Sequence, residues 1–156
     1  MSQLKTIAND YGMSSLVTAG GANHFSDAAQ SILLGKSTIE TWKQDIINQA
    51  KTNYKAYAPQ LDAGITLKSI AAPYINTLAN LLEINPADVD LSSPTGYGKM
   101  VSNALTGSDP ANPQAVPLYE FEKMVKATPQ WGYTNNARNT VYGGVGDLLK
   151  LMGKIS

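Results

Sequence analysis

Apolar residues recur at three- and four-residue intervals along most of this chain, and nowhere alternate with polar ones over a useful length. That spacing puts side chains on one face of an α-helix, so the expectation is an all-α fold. The clearest instance begins at Ser37-Thr38-Ile39-Glu40, which matches a capping box with Ser37 as N-cap and Glu40 at the third helical position. Ile39, Trp42, Ile46, Ala50, Tyr54 and Tyr57 follow on one face, with Lys43, Asp45, Lys51 and Lys55 opposite. This predicts an amphipathic helix of about five turns. It should end at Ala58-Pro59, because proline inside a helix removes a backbone bond and crowds the preceding turn.

The other elements are read the same way. Leu4, Ile7, Ala8 and Tyr11 predict a short helix over 2–17, weakened at Gly12, then a break at 18–23. A second helix is expected over 26–34, stopping at Gly35. Leu61-Asp62-Ala63-Gly64 reads as a turn, after which Thr66 can cap a helix carrying Leu67, Ile70, Ile75, Leu78, Leu81 and Leu82. Pro73 should kink or split it. Asn85-Pro86 predicts one helical turn over 86–90.

The stretch 92–117 is rich in Ser, Gly, Pro and Asn, with a short helix expected over 97–105. Within it, 106–116 is the candidate mobile loop, since Gly107-Ser108-Asp109-Pro110-Ala111-Asn112-Pro113 is expected to have no buried residues to hold it. Pro117 should open a helix through Lys126, and Thr128-Pro129 should break it. Trp131-Gly132-Tyr133 is an aromatic turn. A last helix from Asn135 carries Ala137, Val141, Val145, Leu148 and Met152 on one face. The expected architecture is an irregular bundle of about six or seven helices. The 156 residues are enough for a single helical domain, 1–156, with 43% hydrophobic residues to fill its core.

Composition then narrows the chemistry. There is no cysteine, which excludes disulfides, zinc fingers, iron–sulfur sites and thiol nucleophiles. The one histidine, His24, is the only residue on which a Ser–His–Asp triad could be built, and no partner acid or nucleophile lies near it in sequence. Twelve basic residues balance twelve acidic ones. Nucleic-acid binding rests on a basic surplus that displaces counterions, so no specific nucleic-acid partner is expected. Zero net charge also removes long-range repulsion between copies. No apolar run reaches the about 18 residues of a membrane span. Met1-Ser2-Gln3-Leu4-Lys5 lacks the apolar segment of a secretory signal.

Motif by motif, the bland reading is the stronger one. Asp88-Val89-Asp90-Leu91-Ser92 opens like a calcium loop, but the glycine and glutamate positions of that pattern hold Ser93 and Lys99. Asp88 and Asp90 are therefore expected to cap or terminate a turn. Gly143-Gly144-Val145-Gly146 lacks the strand and the Gly-Lys-Ser/Thr ending of a phosphate loop, and reads as close helix packing or a hinge. Glu120 and Glu122 point about 200° apart on a helix and cannot flank one glycosidic bond. No catalytic residue, cofactor site or metal site follows from the sequence. Trp42 is expected in the core. Trp131 and Tyr133 are expected to pin the last helix to the core, with interface anchoring as the alternative.

Several segments together are similar to the C-terminal helical region of minor virion proteins of tailed bacteriophages, found in the tail or ejected with the genome. They are Gly35-Lys36-Ser37-Thr38-Ile39-Glu40, Tyr54-Lys55-Ala56-Tyr57-Ala58-Pro59, Leu81-Leu82-Glu83-Ile84-Asn85-Pro86, Leu118-Tyr119-Glu120-Phe121-Glu122 and Thr128-Pro129-Gln130-Trp131-Gly132-Tyr133. The resemblance covers 4–153. It implies a non-enzymatic structural component of the virion, found in the host cytoplasm before assembly. Its partners would be other virion subunits and copies of itself. It carries over no catalytic residues. The alternatives are a virion-borne helical domain that cleaves peptidoglycan through a glutamate or aspartate acid, and a scaffolding or regulatory module outside the particle.

Overall fold

The computed structural model describes residues 2–14 and 23–155, with side chains over 2–14 and 27–153. Residues 15–17 of the expected first helix, residues 18–22 of the expected break and the side chain of His24 lie outside the described residues. The fold is all-α. Among the described residues there are eight α-helices and no strand, and the chain is 72% helical. The helices are α1 (Ser2–Asp10), α2 (Asn23–Leu33), α3 (Ile39–Asn53), α4 (Ala58–Asp62), α5 (Leu67–Leu82), α6 (Gly96–Thr106), α7 (Leu118–Lys126) and α8 (Asn135–Ile155). Short 3-10 turns stand at Lys55–Tyr57, Pro86–Asp88 and Trp131–Tyr133.

Helix α5 is the hub. It is apolar on more than one side, burying Leu67, Ala71, Tyr74, Ile75, Leu78, Ala79 and Leu82, so it must be surrounded rather than laid on a surface. It packs against α1, α6 and α7, while α3 packs on α1 and α4. Val101 and Leu105 of α6 and Phe121 and Val125 of α7 are fully buried beside it. The Phe121 ring meets Tyr74 edge to face, with centroids 5.2 Å apart at 76°. The Tyr74 hydroxyl donates to the Val116 carbonyl oxygen at 2.6 Å, and Tyr54 and Ser102 share a hydrogen bond of 2.7 Å. Burial raises the pKa of Tyr54 above its ordinary 10.0, against a smaller lowering by the Ser102 bond. Burial also raises Tyr57 and Tyr74. Pro73 lies inside α5, which nevertheless runs unbroken from Leu67 to Leu82.

Three sequence expectations shift on local chemistry. The N-cap of α3 is Thr38, not Ser37: Thr38 is extended and its hydroxyl accepts from the Thr41 amide at 3.1 Å. Ser37 is committed elsewhere, accepting from the Trp42 indole N–H at 3.0 Å and donating to Ser31 at 2.8 Å. The long helix ends at Asn53 rather than at Pro59, which falls in the first turn of α4. Proline is accepted there because the first amides of a helix have no partner to lose. Gly12 stops α1 rather than merely weakening it: φ is +65° and the Met13 amide bonds back to the Ala8 carbonyl at 2.7 Å.

The segment 106–116 is tied at both ends. The Gly107 amide donates to Asn103 at 2.9 Å and the Val116 amide to Ala104 at 2.8 Å. Residues 108–112 between them are exposed.

Gly98 is where the chain makes its tightest approach. A Cβ there would lie 1.6 Å from the backbone oxygen of Asp90, so α6 and the segment before it could not sit as they do. Gly98→Ala is expected to lower stability by about 1–3 kcal/mol, read as a lower denaturation midpoint in urea. A second expectation concerns alkali. The folded state holds the phenolic protons of Tyr54, Tyr57 and Tyr74 more tightly than the unfolded chain does. The stability linked to them is intact below the ordinary value and is lost as pH rises past about 10. Thermal unfolding followed by circular dichroism should show this fall, and Tyr54→Phe should flatten it.

Candidate functional site

Helices α1, α2, α4 and α5 end on a residue in the left-handed conformation. At three of these ends it is glycine: Gly12, Gly35 and Gly64. At the end of α5 it is Glu83, with φ 56° and ψ 40°, the one non-glycine residue with positive φ among those described. A side chain in this conformation costs about 1–2 kcal/mol, so its presence calls for a reason.

The reason lies at the first turn of α8. One oxygen of the Glu83 carboxylate accepts from the Asn135 backbone N–H at 3.1 Å and from the Asn135 side-chain amide at 3.1 Å. The other accepts from the Asn136 backbone N–H at 2.8 Å. These amides are among those a helix N-terminus leaves unpaired, and they carry the positive end of its dipole. Asn136 adds a bond from its side chain to the Asn80 carbonyl at 2.9 Å. Thr134, buried, accepts from the Ala137 amide at 3.1 Å. The start of α8 is thus clamped onto the end of α5.

Beyond Ala137 the helix leaves the body of the protein. Over residues 138–153 every residue is exposed except the half-exposed Gly146. Seven large apolar side chains lie there: Val141, Tyr142, Val145, Leu148, Leu149, Leu151 and Met152, from 48% exposed at Val145 to 72% at Tyr142. The sequence placed Val141, Val145, Leu148 and Met152 on one face, and α8 does present that face, to solvent. Gly143, Gly144, Gly146 and Gly153 meet nothing within 4 Å of an added Cβ. The close packing expected at 143–146 therefore does not occur among the described residues. Each of these glycines weakens an isolated helix by about 1 kcal/mol relative to alanine. A helix this rich in glycine draws its stability from packing, and among the described residues packing is provided only at the first turn.

The aromatic residues singled out by sequence sit apart. Trp42 is half-buried and bridges α2 and α3 through Ser37. Trp131 is half-buried and packs against the core beneath the start of α8, with its indole nitrogen buried and unpartnered. Tyr133 is 81% exposed and presents its ring to solvent. Asp90 closes a turn by accepting from the Ser92 amide at 2.8 Å. Glu122 pairs with Lys126 at 2.6 Å along α7, and Glu120 accepts from the Tyr119 hydroxyl at 3.0 Å. Among the described residues, no three of His, Asp and Glu converge as a metal site would need. Glu83 was not singled out as a cap by sequence reasoning. The usable signal was Leu82-Glu83-Ile84-Asn85-Pro86, a helix end with no glycine where four other ends have one.

The Glu83 clamp can be separated into its two parts. Glu83→Ala keeps the backbone strain and loses the carboxylate, so it should cost about 1–2 kcal/mol in urea unfolding. Glu83→Gly also loses the carboxylate but relieves the strain, and should cost less. In both variants the Asn135 and Asn136 amides should exchange hydrogen faster than in the native chain.

Compared with family models, curated proteins and solved structures, the chain shows no match in any of the three.

Proposed function

We propose that this chain is a non-enzymatic structural component of a tailed-phage particle that works by packing the apolar face of α8 against neighbouring protein. The observation that carries the contact mechanism is the uncovered stripe from Val141 to Met152. Large contiguous apolar surface is uncommon on a monomer and marks a place where something binds. Covering a half-exposed aliphatic side chain contributes about 1 kcal/mol, so seven of them form a contact of useful strength. The clamp at Glu83 gives the face a fixed origin on the protein body. The neutral net charge lets other subunits approach without repulsion. This mechanism needs no cofactor. The assignment to a phage particle rests on the sequence resemblance over 4–153, and places the chain in the virion after assembly in the host cytoplasm.

Peptide mass spectrometry with copy counting on purified particles of the parent phage tests this reading. The expected result is peptides of this chain at a fixed copy number per particle, and loss of the chain from particles assembled with Leu148→Lys. Absence of the native chain from clean particles overturns it.

A further inference from the structure

We propose that the cleft at the start of α8 binds a neutral oligosaccharide along Trp131. The cleft has a volume of about 600 Å³ and lies where the end of α5, the end of α7 and the Trp131 turn meet α8. That volume falls within the about 300–1,000 Å³ of small-molecule sites. An indole ring, three primary amides and a hydroxyl line it, from Trp131, Asn80, Asn136, Asn139 and Thr140. Among the described residues no carboxylate lines it. The cation at its rim, Lys126, pairs with Glu122 at 2.6 Å. The inference rests on side chains around the first two turns of α8 and not on the apolar face beyond them, so it stands apart from the contact role given to that face.

A sugar ring matches this set in both of its aspects. Its C–H bonds form an apolar face with slight positive charge, which an aromatic ring receives on its negative π-face. Each of its hydroxyls both donates and accepts, and a primary amide offers both. The side-chain amides of Asn80 and Asn139 make no hydrogen bond among the described residues, so both stand open to a ligand. The groups between them are held in place. Asn136 donates its side-chain amide to the Asn80 carbonyl at 2.9 Å and keeps its side-chain oxygen as an acceptor. Thr140 donates its hydroxyl proton to the Asn136 carbonyl at 2.8 Å and keeps its lone pairs. The Asn136 backbone is itself fixed by Glu83 at 2.8 Å. The strained Glu83 thus positions one wall of the cleft, and strain of this kind gathers at binding sites. Trp131 is half-buried and seated against the core, so its ring needs little ordering on binding. Charged ligands find no match. An anion meets Lys126 alone, already paired, and a cation meets no carboxylate. A nucleobase would stack on the indole as a sugar does, but nucleic acid brings phosphates, and holding those takes a basic surplus that this neutral chain lacks.

Heteronuclear NMR of the full chain is the test, with cellotriose, maltotriose and tri-N-acetylchitotriose each added to about 10 mM, enough to detect millimolar binding. The spectra report the side-chain amides of Asn80 and Asn139 and the indole N–H of Trp131 directly. The expected result is saturable shifts at these three groups with at least one of the three sugars. In the double variant Asn80→Ala with Asn139→Ala, affinity for that sugar should fall by about tenfold or more, the effect of losing two hydrogen bonds. Both substitutions are on exposed positions, and an otherwise unchanged, dispersed spectrum shows that the variant is folded. No saturable shift with any of the three sugars overturns the proposal. So do shifts confined to residues away from the cleft, or undiminished affinity in the double variant. Saturable binding of adenosine monophosphate, with none of the sugars, also overturns it and assigns the cleft to a nucleotide. Particle copy number and sugar binding are separate readouts, so the structural role and this site can each fail alone.

Discussion

The arrangement of this protein turns on one carboxylate. Glu83 ends α5 in a conformation that the other left-handed helix ends give to glycine, and its side chain closes the N-terminus of α8. The strain and the cap are two sides of one residue. A glycine would turn the chain more cheaply, but it would leave the first amides of α8 without an acceptor on the protein body. Because α5 is also the hub of the core, α8 is referenced directly to the most buried element.

The rest of the molecule divides around that clamp. On one side, α5 is enclosed by α1, α6 and α7, with Phe121, Leu78 and Leu105 fully buried. Hydroxyl groups at Tyr54 and Tyr74 find partners there, so those two groups enter the core without a desolvation penalty left open. On the other side, α8 carries seven large apolar side chains from Val141 to Met152, yet buries only its first turn among the described residues. Folding alone has no further use for that stripe. The energy it holds is released only on contact with something else, which is why the structural role proposed for the chain lies in assembly.

Much of this was legible along the chain. Three-four spacing marked α1, α3, α5 and α8, and the caps at Thr66 and Asn85 stand where side-chain chemistry puts them. The misplacements share one cause. Ser37 and Thr38 are both competent caps, and the choice fell to Thr38 because Trp42 and Ser31 engage the Ser37 hydroxyl across a gap that sequence does not show. Pro59 can close one helix or open another, and the turn at Lys55–Tyr57 decides for opening. Gly12 is a tolerated weak point or a stop depending on what the following residue does, and Met13 turns inward to the core.

What the sequence by itself determined is the helices α1, α3, α5 and α8 with their apolar residues, because those follow from local periodicity and capping, whereas α4 was read as a turn over 61–64. It also determined which chemistries are absent from the chain, since no cysteine and a single histidine are facts of composition. Which apolar faces find partners was decided only by the tertiary structure. Both α5 and α8 carry apolar residues at three-four spacing, but those of α5 are enclosed and those of α8 beyond Ala137 stand in solvent. The difference comes from where Glu83 fixes the start of α8 relative to the other described helices, which is a property of three-dimensional packing.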